Sequence, residues 1–286
     1  MTLEKRVGGL PASSNIPIVD WHVHTKYSSC CKENYGIFEV GEAADTAGLA
    51  GAGISDYSNN QHFNVKFLET QRKEMVTFGL QASMRLGLEI TILDREGHLS
   101  VNPKALDQLD FVIVAEHLDV AKNFDEFHNL KKKVEHWRDA GEVAKIRDIA
   151  IKTQELMCGG MLTSPPHTIL AHPWRFFLSR QIYEPTILEL TPRLCEVAQE
   201  RGIAIEMPGS HLKVWSDREQ QHSLYEFLRS FWRLVGHYDV QIALGSDAHR
   251  IVDVGVFPEM SSAFNDLGLS PRRLLSFEDI PFKETP

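Results

Sequence analysis

The chain has 286 residues, of which 43% are hydrophobic and 24% are charged, a composition typical of a globular enzyme with one large or two small domains. Its formal net charge of −9 argues against binding to a nucleic-acid polymer, which depends on lysine and arginine meeting phosphates. The four cysteines lack the spacing of a disulfide framework, and no apolar run has the length of a signal peptide or membrane span. We therefore expect a cytoplasmic protein without membrane association, with a flexible tail over residues 1–15.

The first predicted strand ends in two histidines. Residues 16–23 form a largely apolar run. His22 lies within this run, and His24 directly follows it. Alternate residues of a strand point to the same face, so both imidazoles face the same way at the C-terminal end of the strand. Neutral imidazole is a common ligand of first-row metals, so the pair predicts a metal site. The alternative is a strand that merely ends in two polar residues.

Short apolar strands alternate with helical segments along the rest of the chain. Further strands are predicted at 52–57, 86–91, 109–114, 168–171, 203–206 and 240–244, and helices at 38–50, 65–79, 124–140, 141–158, 187–201 and 224–235. This alternation is typical of parallel βαβ units, and polar residues at the ends of seven strands favour a barrel over an open sheet. We predict one α/β domain over residues 16–286, with a helical insertion near residues 120–166. Residues 274–286 are predicted to be a tail or a docking segment.

The ends of the predicted strands carry histidines and carboxylates. They are His22, His24, Asp56, Glu89, His117, His172, Glu206, Asp247 and His249. A lone histidine is more often a core or surface residue than a ligand, but a barrel would bring all of these side chains together. Mixed histidine and carboxylate ligands suit zinc, manganese or iron, and a carboxylate such as Glu89 can bridge two metals in hydrolysis.

Six motifs, in their order along the chain, resemble those of the polymerase-and-histidinol-phosphatase (PHP) family. They are Asp20-Trp-His-Val-His24, Ile54-Ser-Asp-Tyr57, Gly87-Leu-Glu89, Glu116-His117, Ala171-His-Pro173 and Gly245-Ser-Asp-Ala-His249. The resemblance extends from about Pro17 to about Arg250. It implies a distorted (β/α)7 barrel that holds up to three metals and hydrolyses phosphate esters, such as histidinol phosphate or nucleotide phosphates.

The resemblance also implies which residues bind the metals. The ligands of one metal would be His22, His24, Glu89 and Asp247, and those of a second would be Glu89, His117 and His172. The third metal of the family would have Cys30, Tyr57 and His249. Cys30 and Tyr57 depart from the histidines usual at their positions, so we expect two firmly bound divalent ions (zinc, manganese or iron) and at most a weak third.

Three basic residues are candidates for binding a phosphate. Arg175 and Arg250 closely follow expected ligands, and the planar guanidinium group of either could hold two phosphate oxygens at once. Each could equally form a surface salt bridge. Lys26, two residues after His24, is a weaker candidate.

Three acidic residues are expected to support the ligands. Asp20 is expected to orient a ligand histidine. Asp56 could do the same or cap the following turn. Glu206 could be a pocket wall, a residue that supports a ligand, or a substrate contact.

We interpret the chain as a metal-dependent hydrolase of a small phosphomonoester. The metals would polarise the phosphoryl oxygens and convert a bridging water to hydroxide, with Glu89 and Asp247 acting through the metals. Arg175 would stabilise the developing charge, and His249 or a metal-bound water would protonate the leaving alcohol. The alternatives are a degenerate metal-binding barrel or a metal-dependent amidohydrolase, although the latter often has a metal-bridging lysine on strand four. The sequence indicates no oligomeric state.

Overall fold

Seven parallel strands follow one another in sequence order in the computed structural model, which describes residues 17–58, 65–118 and 129–284. The strands are β1 (Val19–Val23), β2 (Gly51–Ser58), β3 (Met84–Thr91), β4 (Phe111–Ala115), β5 (Thr168–Leu170), β6 (Ala204–Pro208) and β7 (Ile242–Gly245). Just beyond β7, the Ala248 amide donates to the carbonyl of His22, and the amide of His24 donates to the carbonyl of Ala248. The sheet therefore nearly closes on itself, which confirms the predicted distorted (β/α)7 barrel.

The helices surround the sheet. They are α1 (Ile37–Thr46), α2 (Val65–Thr77), α3 (Pro103–Leu106), α4 (Leu130–Asp139), α5 (Val143–Thr163), α6 (Arg175–Leu178), α7 (Pro185–Arg201), α8 (Gly209–Ser216), α9 (His222–Gly236) and α10 (Met260–Leu267). The sequence analysis missed α8, which has only eight residues and follows β6 without a loop between them. Within the described ranges, no helix combines the length and the hydropathy needed to cross a bilayer.

Two helices occupy the described part of the predicted insertion. Helix α5 connects β4 to β5 and packs against α7, while α4 packs against α5. Residues 120–128 of the predicted insertion lie outside the described residues, and so does the predicted tail over residues 1–15.

An apolar layer fills the lower half of the barrel interior, the half nearer the N-terminal ends of the strands. Trp21 and Phe111 meet edge to face there, with ring centroids 5.3 Å apart. The ring of Phe111 covers Gly53 and Gly87, where a Cβ atom would lie 2.7 Å and 2.6 Å from ring atoms. The absence of a side chain at these two glycines lets their strands, β2 and β3, approach the ring closely. The interior is therefore tightly packed at this level. The clustered histidines and carboxylates lie beyond this layer, at the C-terminal ends of the strands.

The pairing of β1 with β2 shifts register between Asp20 and Val23. As a result, Trp21 belongs to the apolar layer while His22, the next residue, lies among polar side chains above it. Strict alternation would have placed these two neighbours on opposite faces. An irregularity of this kind re-aims a side chain next to a functional site.

The C-terminal segment closes the N-terminal end of the barrel. Leu275 and Ile280 join the interior apolar cluster, and the indole of Trp21 donates to the carbonyl of Leu275 at 3.1 Å. Arg85, which is 7% exposed, donates from Nε to the carbonyl of Ile280 at 2.6 Å and stacks on the ring of Phe277. Residues 274–284 therefore form a docking segment, the second of the two predicted alternatives.

We expect Ile280→Ala to lower the free energy of unfolding by about 2–4 kcal/mol, because it leaves a cavity under the barrel. The matched control is Glu284→Ala, at an exposed position in the same segment, which should change stability by less than about 0.5 kcal/mol. Urea denaturation followed by circular dichroism measures both. Equal effects of the two substitutions would show that the segment does not close the barrel.

Candidate metal centre

The carboxylate of Glu89 lies among four histidines. Its Oε1 is 3.2 Å from Nε2 of His172, 3.3 Å from Nε2 of His117 and 3.6 Å from Nε2 of His22. Its Oε2 is 3.6 Å from Nε2 of His24. The histidines come from the ends of β1, β4 and β5, so the closure of the barrel is what assembles this cluster.

Two sets of potential ligands share this carboxylate. Asp247 Oδ1 lies 3.1 Å from Nε2 of His24 and 3.6 Å from Nε2 of His22. The first set comprises His22, His24 and Asp247, next to one side of Glu89, and the second comprises Glu89, His117 and His172. The two sets are those that the motif resemblance implied, and the structure brings all six side chains together.

The spacing of these atoms fits metal ions better than direct hydrogen bonds. Nε2 of His22 is buried and has no hydrogen-bond partner among the described residues. It is 3.6 Å from both the Glu89 and the Asp247 carboxylates, too far for a hydrogen bond. Ligands of a tetrahedral zinc ion with bonds of about 2.1 Å are about 3.4 Å apart. The residues present therefore fit a divalent ion in each set.

The charges of the centre favour a bound cation. Burial lowers the pKa of His24, but hydrogen bonds with Asp247 and Cys30 outweigh it and raise the pKa to about 10. Burial raises the pKa of Glu89, but the imidazoles of His117 and His22 outweigh it and hold the pKa well below its usual range. The carboxylates are thus ionised and attract positive charge, which divalent ions would supply in place of protons on the histidines.

Glu206 and Thr91 orient the rings of His22 and His117, and Glu206 also holds the backbone of His172. Nδ1 of His22 lies 2.8 Å from Glu206 Oε1, and the backbone amide of His172 donates to Glu206 Oε2 at 2.6 Å. Nδ1 of His117 lies 3.0 Å from Thr91 Oγ1. A proton on Nδ1 of His22, held by the carboxylate, leaves Nε2 free as a ligand atom. Sequence reasoning left the role of Glu206 open and missed Thr91, because neither contact is local in the sequence.

The backbone around the centre is strained and tightly packed. His172 and Asp247 have φ angles of 25° and 54°, in the left-handed region that residues other than glycine rarely adopt. At Gly245, a Cβ atom would overlap the Glu206 carboxylate and lie 2.7 Å from Cβ of His22. A glycine is therefore required at position 245 for Glu206 to reach His22.

Asp20 and Asp56 hold the backbone of the site rather than its imidazole rings. Asp20 accepts hydrogen bonds from the amides of Ser246 at 2.9 Å and Gly255 at 2.8 Å, so it positions the loop that carries Asp247. Asp56 accepts from the amide and hydroxyl of Thr25 at 2.6 Å and 2.7 Å, which anchors the chain directly after His24. Asp20 also accepts from the backbone amide of His22 at 3.3 Å, so it supports this predicted ligand through the backbone and not, as we expected, through the ring.

The chain is similar to two phosphatases. No protein-family model matches it. A probable phosphatase of Caldanaerobacter subterraneus subsp. tengcongensis is 26% identical over 190 residues, which are 66% of this chain and 60% of that protein. The chain thus matches about three fifths of the length of this curated relative. The histidinol phosphate phosphatase of Lactococcus lactis subsp. lactis Il1403, solved with zinc, L-histidinol and phosphate, superposes with a TM-score of 0.53 at 13% identity, covering 88% of this chain and 94% of that one.

This superposition shows that the two chains share a fold, the distorted (β/α)7 barrel. Together with the phosphatase relative, it confirms the resemblance that the six motifs indicate. A chain of an archaeal ribonuclease P solved with mature tRNA also matches, at a TM-score of 0.44 and 11% identity, a similarity too low to support a comparison of function.

A third group of potential ligands borders the PHP-type centre. It consists of His24, Cys30 and His249. Nδ1 of His249 lies 2.8 Å from the carbonyl of Asp247, which makes Nδ1 the donor and leaves Nε2 as the ligand atom. Burial raises the pKa of Cys30, but hydrogen bonds from His24 and His249 outweigh it and lower the pKa to about 6. The hydroxyl of Tyr57, which the resemblance placed in this group, instead bonds to Thr91 Oγ1 at 3.1 Å.

Arg175 is the one of the three basic candidates that lines the mouth of the barrel. Its Nη1 lies 3.4 Å from His172 Nε2 and 3.6 Å from Asp247 Oδ2, and about half of its side chain is exposed. Arg250 forms two hydrogen bonds of 2.8 Å with Asp253 at the surface, which was the alternative considered for it. The exposed Lys26 lines neither mouth cavity and has its ammonium 5.5 Å from the ring centre of Tyr27.

Two cavities open beside the centre. The first, of about 410 Å³, contains the potential ligands Glu89, His117, Asp247 and His249 and is also lined by Cys30, Tyr57, Glu116, Leu118, Arg175, Phe176, Ser179 and Arg180. The second, of about 380 Å³, lies against His172 and Asp247. Sequence reasoning missed Arg180 and Phe176, since they lie on or just after a helix of four residues that has no periodic pattern to reveal it.

We expect Glu206→Gln to weaken metal binding about 10- to 100-fold, because the amide can no longer hold the proton on His22 Nδ1 as a carboxylate does. Glu200→Gln, at an exposed position on α7, is the control and should leave affinity unchanged. Zinc affinity is measured by competition with a chromophoric chelator. Equal affinities of the two variants would show that Glu206 does not support the ligands.

Proposed function

We propose that this protein is a metal-dependent phosphoesterase that hydrolyses a small phosphomonoester. The observation that carries the proposal is the buried Glu89 carboxylate, whose two oxygens lie 3.2–3.6 Å from the ligand nitrogens of four histidines. A carboxylate in this position can bridge two ions, the arrangement used for in-line displacement at phosphorus. The similarity to a probable phosphatase and to a histidinol phosphate phosphatase supports the same reaction.

The residues of the centre divide the work of binding and activation. His22, His24 and Asp247 would hold one ion and His117 and His172 another, with Glu89 between them. When bound, the ions polarise phosphoryl oxygens and make a water acidic enough to lose a proton near neutral pH. They are zinc, manganese or iron, the metals that suit mixed histidine and carboxylate ligands.

Arg175 and His249 act on the substrate itself. Arg175 stands at the mouth, where its guanidinium can hold the oxygens of a phosphate as their negative charge grows. His249 lines the first cavity, and a hydrogen bond that it donates to Cys30 raises its pKa, so it can carry a proton for the leaving alcohol. The substrate class is a small phosphomonoester such as an amino-alcohol phosphate or a nucleotide.

An amidohydrolase activity is the less favoured alternative. The barrel has seven strands, and β4 leads into Glu116 and His117 where a metal-bridging lysine would be expected. The shared carboxylate comes from β3 instead.

We expect phosphate release that a chelator abolishes and that Mn²⁺, Zn²⁺ or Fe²⁺ restores. Glu89→Gln should reduce turnover about 100-fold or more, because the neutral amide no longer bridges two ions. The same Glu200→Gln control should retain full turnover. The assay is phosphate release from a panel of amino-alcohol, nucleotide and sugar phosphates. Full turnover by Glu89→Gln at normal metal content would contradict the two-ion scheme.

A third ion would bind more weakly than the first two, at His24, Cys30 and His249, and would take the place of the proton that His249 carries when two ions are bound. Its binding is weaker because His24 also belongs to the first set of ligands. The Cys30 thiolate favours a soft metal such as zinc. In titrations with Co²⁺, a thiolate-to-cobalt charge-transfer band should therefore develop only after two equivalents are bound. Cys30→Ser should abolish the band, whereas Cys31→Ser, whose thiol contacts backbone carbonyls, should retain it. A band that survives Cys30→Ser, or three equivalents bound without any band, would rule out a thiolate ligand.

A further inference from the structure

The second cavity at the mouth of the barrel is separate from the first but lies against the same ligands. Both cavities contact Arg175, Ser179 and Asp247, so these residues stand between them. The residues that line only the second cavity are His172, Leu178, Pro208, Ser210, His211, Leu224 and Ser246. A group bound there would be adjacent to a phosphate held at Arg175.

His211 has a feature that the metal centre does not explain. It lies on α8, directly after the strand that carries Glu206, and it is 8% exposed. Its Nδ1 is buried and has no hydrogen-bond partner among the described residues. The ring of His211 meets the ring of Trp232 edge to face, with ring centroids 6.2 Å apart. A buried polar atom without a partner is unfavourable, and in a cavity wall it indicates a partner that binds from outside the chain.

The lining of the second cavity is uncharged except where it meets the metal centre. Leu178, Pro208 and Leu224 are apolar, and Ser210 and Ser246 contribute hydroxyl groups. The first cavity, by contrast, contains the charged Glu116 and Arg180. A charged ligand group beside Leu178, Pro208, Ser210 and Leu224 would lose its hydration without meeting an opposite charge among these residues, whereas an uncharged polar group there would gain hydrogen bonds.

We propose that the second cavity binds the alcohol part of the phosphomonoester and that His211 forms a hydrogen bond with an uncharged polar group on it. The proposal rests on the phosphoesterase function proposed above. Burial lowers the pKa of His211 to about 4, in keeping with a neutral ring that offers one donor and one acceptor to a hydroxyl or amide. Esters that lack such a group leave the imidazole unpaired, so the cavity discriminates against them.

The test uses two phosphonates that cannot be hydrolysed and that differ only in hydroxyl groups. They are 3,4-dihydroxybutylphosphonate and butylphosphonate, and their binding to the zinc-loaded protein is measured by calorimetry. The wild-type protein should bind the hydroxylated compound about tenfold more tightly or better. His211→Leu should remove this preference, and His211→Gln, which keeps a hydrogen-bonding group, should retain part of it. His237→Leu, at an exposed position after α9, is the matched control and should retain all of it.

A second variant makes the test independent of the folding of the histidine variants. Leu224→Trp should fill the cavity and weaken the binding of both phosphonates about tenfold relative to inorganic phosphate. The absence of a preference in the wild-type protein, or a preference that His211→Leu does not change, would overturn the assignment. Phosphate release from glycerol phosphate and propyl phosphate is assayed in parallel. If neither ester is hydrolysed while the phosphonate preference depends on His211, the binding subsite stands and the phosphoesterase function fails.

Discussion

The buried negative charge of Glu89 is the constraint on which the upper half of the barrel depends. A carboxylate that is 4% exposed is stable only if positive or hydrogen-bonding groups surround it. Here they come from the ends of β1, β4 and β5, so the strands must close around it. The solid apolar layer below, with Phe111 against two glycines, sets how closely these strands approach.

The same constraint explains how the loops of the site are held. Ligands on loops are useful only if their backbone is fixed, and Asp20 and Asp56 fix it by accepting hydrogen bonds from backbone amides. His172 and Asp247 have left-handed backbone conformations that a short peptide would rarely adopt. The closed barrel and its buried carboxylates overcome this local cost and hold the potential ligand atoms close together.

Two cavities with different linings lie beside the candidate metal centre at the mouth of the barrel. Arg175 lies between a cavity with charged walls and one whose own lining is uncharged. A phosphate ester has a strongly hydrated anionic part and a less hydrated alcohol part. Two cavities with different linings can bind each part where protein contacts best compensate for its lost hydration. Helix α8 contributes Ser210 and His211 to the second cavity only, whereas Arg175, Ser179 and Asp247 border both cavities.

The sequence alone determined the order of the seven strands and of the longer helices, because periodicity and turn residues are local signals. It also placed six side chains at strand ends: His22, His24, Glu89, His117, His172 and Asp247. Tertiary structure alone decided which atoms meet. Glu206 reaches His22 across 184 positions, and Tyr57 bonds to Thr91 rather than joining Cys30. His211 followed no motif, and its importance depends on a cavity formed by four segments that are separate in the sequence. Such contacts depend on how the barrel closes, since residues distant in sequence carry no local pattern that pairs them.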